Sequence, residues 1–218
     1  MIEGDLQDYY AQRANEYERV YAKPERQDDI AELAALLQDV LRGQDIVEVA
    51  CGTGYWTSVI AQTARAVHAT DINPEVIAVA QTKDYPPGRV QFALADAFTL
   101  AAVAGMFTAG FAGFWWSHLT QVQLNRFLRA FHQVLGPNRL VVVADNRYVA
   151  GSNHPIARRD SEGNTYQRRT LDNGRTFEVL KNFPTESELR ESIDGMARDV
   201  TVTMLTYYWC MTYRTTME

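Results

Sequence analysis

Three acidic side chains close three apolar runs: Glu48 in DIVEVA, Asp71 in AVHATD and Asp96 in RVQFALAD. The first run leads into Cys51-Gly52-Thr53-Gly54, a turn stripped of bulk. Glycine lacks a Cβ, so Gly52 and Gly54 permit unusual backbone angles and let a ligand approach the main chain. A helix starting after such a turn offers free N–H groups to a negative group. Any one of the carboxylates alone is equally well explained as a strand-end or helix-cap group. Three of them at three successive strand ends point to a small-molecule site.

Further along, His118 in WWSHL follows the run MFTAGFAGF, where a substrate would enter. An imidazole titrates near neutrality, so His118 could take a proton from a hydroxyl or amine nucleophile. The plain alternative is a helix-start histidine bonded to backbone. His154 is a weaker candidate, and His68 and His132 read as structural. Arg158, Arg159, Arg168, Arg169, Arg175 and Lys181 crowd a polar segment, 146–184. Guanidinium groups bind carboxylates bidentately, so these could line an entrance for an acidic substrate. A solvated hairpin face is the simpler reading. Cys51 and Cys210 read as small buried residues.

The elements that must position these groups alternate along the chain. Two helices are expected over 5–42: DLQDYYAQRANEYERVYA, with Tyr10, Tyr17 and Tyr21 on roughly one face, and IAELAALLQDVL, closed by Gly43. Strand and helix then alternate from DIVEVA to RLVVVAD. That alternation predicts a parallel sheet with both faces covered. Asn173-Gly174 between TYQRRTL and RTFEVLK predicts a hairpin. Thr185 with Glu188 forms a capping box, and ARDVTVTML and YYWCMTYRT end the chain as strands. The expected organisation is one domain: a helical cap (1–42), a ligand-binding core (43–148), a lid-like insertion (149–184), then a helix and two strands (185–218).

Glu48-Val-Ala-Cys-Gly-Thr-Gly54 resembles the first motif of the class I S-adenosylmethionine-dependent methyltransferases. ATDINPEVIAVA resembles the second motif and LADAF the third, and the resemblance covers roughly Gly43 to Tyr148. The leading DYYAQRANEYERVY resembles the N-terminal helix of the ubiquinone/menaquinone-biosynthesis-like branch. The resemblance implies an α/β, three-layer, doubly wound fold with a seven-stranded mixed sheet. The sheet would be mostly parallel with an antiparallel C-terminal strand, two extra N-terminal helices and a polar lid after strand five. It also implies S-adenosyl-L-methionine as cofactor and S-adenosyl-L-homocysteine as product.

By the same resemblance, Glu48 faces the methionine ammonium, with Ala50, Gly52 and Gly54 forming the turn. Asp71 follows Glu48 by 23 positions (48 to 71), near the ~20 expected of a carboxylate that accepts ribose hydroxyls. Ile72 lies against adenine, Asp96 accepts from its amino group, and the Ala97 N–H donates to a ring nitrogen. Phe114 and Trp115 sit by the methionine portion and the methyl. Read from the residues themselves, Tyr10 and Arg13 join the cofactor set, Arg13 toward the carboxylate, with core packing the plainer reading of the tyrosines and a common exposed arginine that of Arg13; His118 is the candidate base. Two positions depart from the pattern: Ala50-Cys51 replaces a further glycine, and Thr108 stands where an acidic residue usually follows Phe.

The chain has 218 residues and a net charge of −6, which disfavours a nucleic-acid partner. Two cysteines are too few for a disulfide framework, and a reducing, cytoplasmic setting is expected. Ala97 to Ser117 carries no charge and is long enough to span a bilayer, but Gly105 and Gly110 break it. A buried strand with a preceding loop explains it better. The expected acceptor is a small organic molecule, with an acidic one among the options, methylated on O, N or C. A dinucleotide oxidoreductase is the first alternative, weakened because Tyr55-Trp56-Thr57 supplies no third glycine after Gly54. A non-catalytic cofactor-binding protein is the second. The oligomeric state stays open, with a homodimer among the options.

Overall fold

The computed structural model describes residues 3–14, 16–101 and 103–216. Ten strands are described: β1 (Asp45–Val49), β2 (Ala66–Asp71), β3 (Val90–Leu94), β4 (Ala109–Gly113), β5 (Leu140–Asn146), β6 (Ile156–Arg159), β7 (Thr165–Thr170), β8 (Thr176–Leu180), β9 (Ala197–Met204) and β10 (Tyr208–Thr215). The helices are α1 (Glu3–Arg13), α2 (Gln27–Val40), α3 (Tyr55–Ile60), α4 (Pro74–Ala80), α5 (Gln121–Leu135) and α6 (Glu186–Ser192).

Seven strands form one sheet in the order β3-β2-β1-β4-β5-β10-β9. Its pairs are parallel from β3 to β5, and β10 runs antiparallel to both neighbours. This is the expected doubly wound mixed sheet. Strand β1 is central: the chain winds outward through β2 and β3, then returns to the other side of β1 as β4. Ligands bind at such a reversal point, outside the carboxyl ends of the strands.

The strands read as apolar runs because both faces are covered. Ile46 packs with Leu33, Leu37 and Ile60 on one face, while Val47 and Val49 pack with Phe127 and Phe131 of α5 on the other. Side chains alternate along a strand, so Glu48 shares the face of Ile46 and points toward α3. Thr108, in place of an acidic residue, accepts the Asp45 N–H through its hydroxyl at 2.9 Å and stitches β1 to β4.

Both amphipathic helix starts are capped as their sequences dictate. Thr120 with Gln123 and Thr185 with Glu188 form reciprocal capping boxes, features worth about 1 kcal/mol each. The polar insertion is a three-stranded antiparallel sheet, β6-β7-β8, rather than a hairpin alone. The first predicted helix stops at Arg13, and Tyr17–Tyr21 follows as a separate 3-10 turn. Tyr10, Tyr17 and Tyr21 still form one row, edge to face, with centroids 5.7 and 5.9 Å apart. No helix among the described residues is long and apolar enough to cross a membrane.

Candidate active site

A cavity of about 380 Å³ opens at the carboxyl ends of β1 to β4. Ala50 and Gly52 after β1, Asp71, Ile72 and Asn73 after β2, Asp96 and Ala97 after β3, and Phe114 and Trp115 after β4 line it. Leu6, Gln7 and Tyr10 of α1 roof it, and His118, Tyr166 and Leu180 complete the wall. Of the residues singled out in the sequence, Tyr10, Ala50, Gly52, Asp71, Ile72, Asp96, Ala97, Phe114, Trp115 and His118 therefore meet around one space. Glu48, Gly54 and Arg13 do not line it.

The turn after β1 is shaped by backbone angles that most side chains avoid. Ala50, Gly52 and Gly54 all have positive φ, at 55°, 55° and 78°. A Cβ on Gly52 would meet nothing within 4 Å, so this glycine serves conformation and access. A Cβ on Gly54 would lie 2.5 Å from the Tyr85 hydroxyl and 2.9 Å from Ala80 Cβ. Gly54 is therefore small because α4 packs against it. Ala50 bears a left-handed conformation at the position where the family motif often carries glycine.

Asp71 holds this turn. Its Oδ2 accepts the Gly52 N–H and its Oδ1 the Asn73 N–H, both at 2.9 Å. Burial raises its pKa and these N–H donors pull it back. Asp96 is half-buried and spends Oδ1 on the Phe98 N–H at 2.8 Å. Ile72 is 47% exposed, an apolar face presented at the cavity edge. Glu48 is buried behind the turn with Oε2 unpartnered, and burial raises its pKa to about 8, partly offset by Thr57.

At the other end, Phe114 adopts φ 62° as β4 ends. It stacks on Trp56 with centroids 5.5 Å apart. A short turn, Trp116–His118, then carries His118 toward the end of β8. The Leu180 carbonyl can only accept, so His118 Nδ1 donates to it at 2.8 Å. A neutral imidazole then accepts at Nε2, where the Tyr10 hydroxyl donates at 2.8 Å. Burial holds the His118 pKa well below the usual range, and Lys181 and Arg169 nearby add to it. Both imidazole nitrogens are engaged in this arrangement.

The cationic residues divide in an unexpected way. Lys181 is buried, not solvated, and its ammonium lies 2.9 Å from Asp145 Oδ1 and against the Ser117 hydroxyl. Burial lowers its pKa to about 8 despite Asp145. Asp145 also accepts the Ser117 N–H at 2.9 Å, which pins the His118 turn to β5. Arg169 lies over the Tyr9 ring at 5.9 Å, donates to Gln167 at 2.8 Å, and has a buried unpartnered Nε. Arg13 donates to the Tyr9 hydroxyl at 2.8 Å and lies 5.2 Å from the Tyr17 ring centre. Neither Arg13 nor Arg169 meets a carboxylate among the described residues. Arg158 pairs with Glu178 and Arg175 with Asp8, as ordinary surface contacts. Sequence reasoning grouped Lys181 with the arginines and passed over Asp145, because their pairing joins positions 36 residues apart and neither stands in a motif.

Comparison with known proteins fits this geometry. The family described as methyltransferase domain matches residues 46–138. No curated protein matches. Among solved structures, the DhpI-SAM-HEP complex is similar at 28% identity and TM-score 0.78, covering 98% of this chain and 99% of its own. The DhpI-SAH complex is similar at 26% identity and TM-score 0.75, covering 99% and 97%. A Burkholderia thailandensis 1,6-didemethyltoxoflavin-N1-methyltransferase, with bound 1,6-didemethyltoxoflavin and S-adenosylhomocysteine, shares the fold at 17% identity and TM-score 0.63, covering 98% and 88%. The acidic strand ends, the glycine turn at the sheet's reversal point and the matched domain agree: residues 46–138 form a methyltransferase domain, with S-adenosylmethionine as the enzyme's cofactor.

Proposed function

We propose that the enzyme methylates an O, N or C nucleophile on a small acidic organic molecule. The carrying observation is the pair of arginines without carboxylate partners among the described residues, Arg13 and Arg169, behind the aromatic wall of the cavity. Both act electrostatically on Tyr10, Tyr17 and His118. They make the acceptor end of the cavity electropositive. An anion there is stabilised at low effective dielectric.

The residues present fit the cofactor. When bound, S-adenosylmethionine supplies an electrophilic methyl group on a sulfonium. In this reading Asp71 and Asp96 accept from its hydroxyl and amino donors, with Ile72 and Ala97 as the apolar edge. Ala50 and Gly52 let the main chain come close. Phe114 and Trp115 offer aromatic faces to positive charge, contacts worth about 0.5–2 kcal/mol. Glu48 and Gly54 act from behind the turn, by shaping it. Tyr10, Arg13 and His118 belong to the acceptor end in this reading, and His118 positions rather than deprotonates. Proximity and orientation then carry most of the rate. The ubiquinone/menaquinone-biosynthesis-like branch rests on the DYYAQRANEYERVY segment alone.

The test is label transfer from methyl-labelled cofactor to a panel of small carboxylates, phosphates and phenols with uncharged counterparts. Anionic members should be preferred, and Arg169→Gln should lower kcat/KM for them at unchanged cofactor affinity. Preference for the uncharged members would contradict the acidic acceptor.

A further inference from the structure

The hydrogen-bond chain Leu180–His118–Tyr10 has a fixed direction, and that direction sets what Tyr10 can offer. The carbonyl of Leu180 has no proton, so His118 Nδ1 must donate to it at 2.8 Å. Burial disfavours the charged ring, so Nε2 accepts, and the Tyr10 hydroxyl donates its one proton there at 2.8 Å. Tyr10 is half-buried and lines the cavity. With that proton given to His118, its oxygen keeps a lone pair and has no proton to offer.

The anchor of this chain is rigid. The Asn182 N–H donates to the Ser117 carbonyl at 2.7 Å and its amide to the Leu119 carbonyl at 3.0 Å. Lys181 holds Asp145, which in turn holds the Ser117 N–H. The end of β8 and the turn bearing His118 therefore move as one piece. The imidazole cannot rotate to free Nε2 without leaving the Leu180 carbonyl without a donor, and an unmet buried acceptor costs about 1–3 kcal/mol.

We propose that Tyr10 is a specificity-determining residue that accepts a hydrogen bond from the methyl acceptor, with His118 as its positioning residue. Resting on the acidic reading above, this narrows the acceptor class. It is a small anion that also carries a hydrogen-bond donor, a hydroxyl or an N–H. An acceptor with oxygen lone pairs alone at that point would be repelled by Tyr10. One with only a methyl there would leave the phenol oxygen unmet.

The test uses the full chain saturated with S-adenosylhomocysteine, titrated by NMR with glycolate and with propionate. The two differ by a hydroxyl in place of a methyl at nearly equal size. The ratio of their dissociation constants is compared between wild type and Tyr10→Phe, which cancels their intrinsic difference in hydrophobicity. The wild type should favour glycolate, and the preference should fall about fivefold in Tyr10→Phe, the worth of one net hydrogen bond. Affinity for S-adenosylhomocysteine should stay within about twofold, since the removed group belongs to the acceptor end. His118 should show a protonated Nδ1 and a bare Nε2 in its nitrogen spectrum. An unchanged ratio, a reversed tautomer, or a loss of cofactor affinity in Tyr10→Phe would each overturn the proposal. If neither anion binds the wild type, the acidic acceptor fails by itself. Phenol against toluene then carries the same comparison, and no change in that ratio overturns the role of Tyr10.

Discussion

The Asp71 carboxylate accepts the backbone N–H of Gly52 at 2.9 Å, joining the end of β2 to the turn after β1. The bond closes the turn in the conformation that Ala50, Gly52 and Gly54 allow, with φ positive at all three. A side chain in that region costs about 1–2 kcal/mol. At Gly52 that is the whole cost of an added methyl, because space is open there. At Gly54 the methyl also collides with Tyr85 and Ala80. Denaturant unfolding should rank Gly54→Ala as clearly more destabilising than Gly52→Ala. Equal losses would mean that α4 does not press on the turn.

The buried pair Lys181–Asp145 makes a second prediction. Both side chains are at most 5% exposed. Removing one partner strands the other charge, so Lys181→Met should cost about 3–5 kcal/mol. Replacing both by apolar residues should recover much of that, measured by urea unfolding. A loss under about 1 kcal/mol in the single variant would mean the pair is wetter than the structure shows.

Glu48 makes a third. Its pKa in the fold, about 8, lies above the ordinary carboxylate value. A carboxyl that binds its proton more tightly when folded favours the fold at low pH. That contribution fades as pH rises from the ordinary value through about 8. Between pH 6 and pH 9 the cofactor-free wild type should lose more Tm than Glu48→Gln, which mimics the protonated form. Parallel losses would show Glu48 to be ionised.

Much of the fold was legible because its signals are local. The runs DIVEVA, AVHATD and RLVVVAD became β1, β2 and β5 since parallel strands covered on both faces have no polar side to show. Thr120 and Thr185 cap their helices with neighbours three residues away. The break after Arg13 was hidden because the spacing of Tyr10, Tyr17 and Tyr21 suits one helical face and also suits the observed edge-to-face row. Strand β6, IARR, has no alternation to mark it. The state of His118 was out of reach for another reason: Tyr10 and Leu180, which fix it, lie 108 and 62 positions away. Lys181 was read with its arginine neighbours as solvated, and only the packing of β8 against the Ser117 turn buries it.

The most direct test of the whole account is calorimetric titration of wild type and Asp71→Ala with S-adenosylhomocysteine. Among the described residues, Asp71 is the one carboxylate that both lines the cavity and holds the Gly52 turn. Micromolar binding to wild type is expected, weakened about a hundredfold or more in Asp71→Ala, since hydrogen bonds to charged groups and the turn are lost together. Unaltered binding in the variant would place the cofactor elsewhere and contradict the site described here.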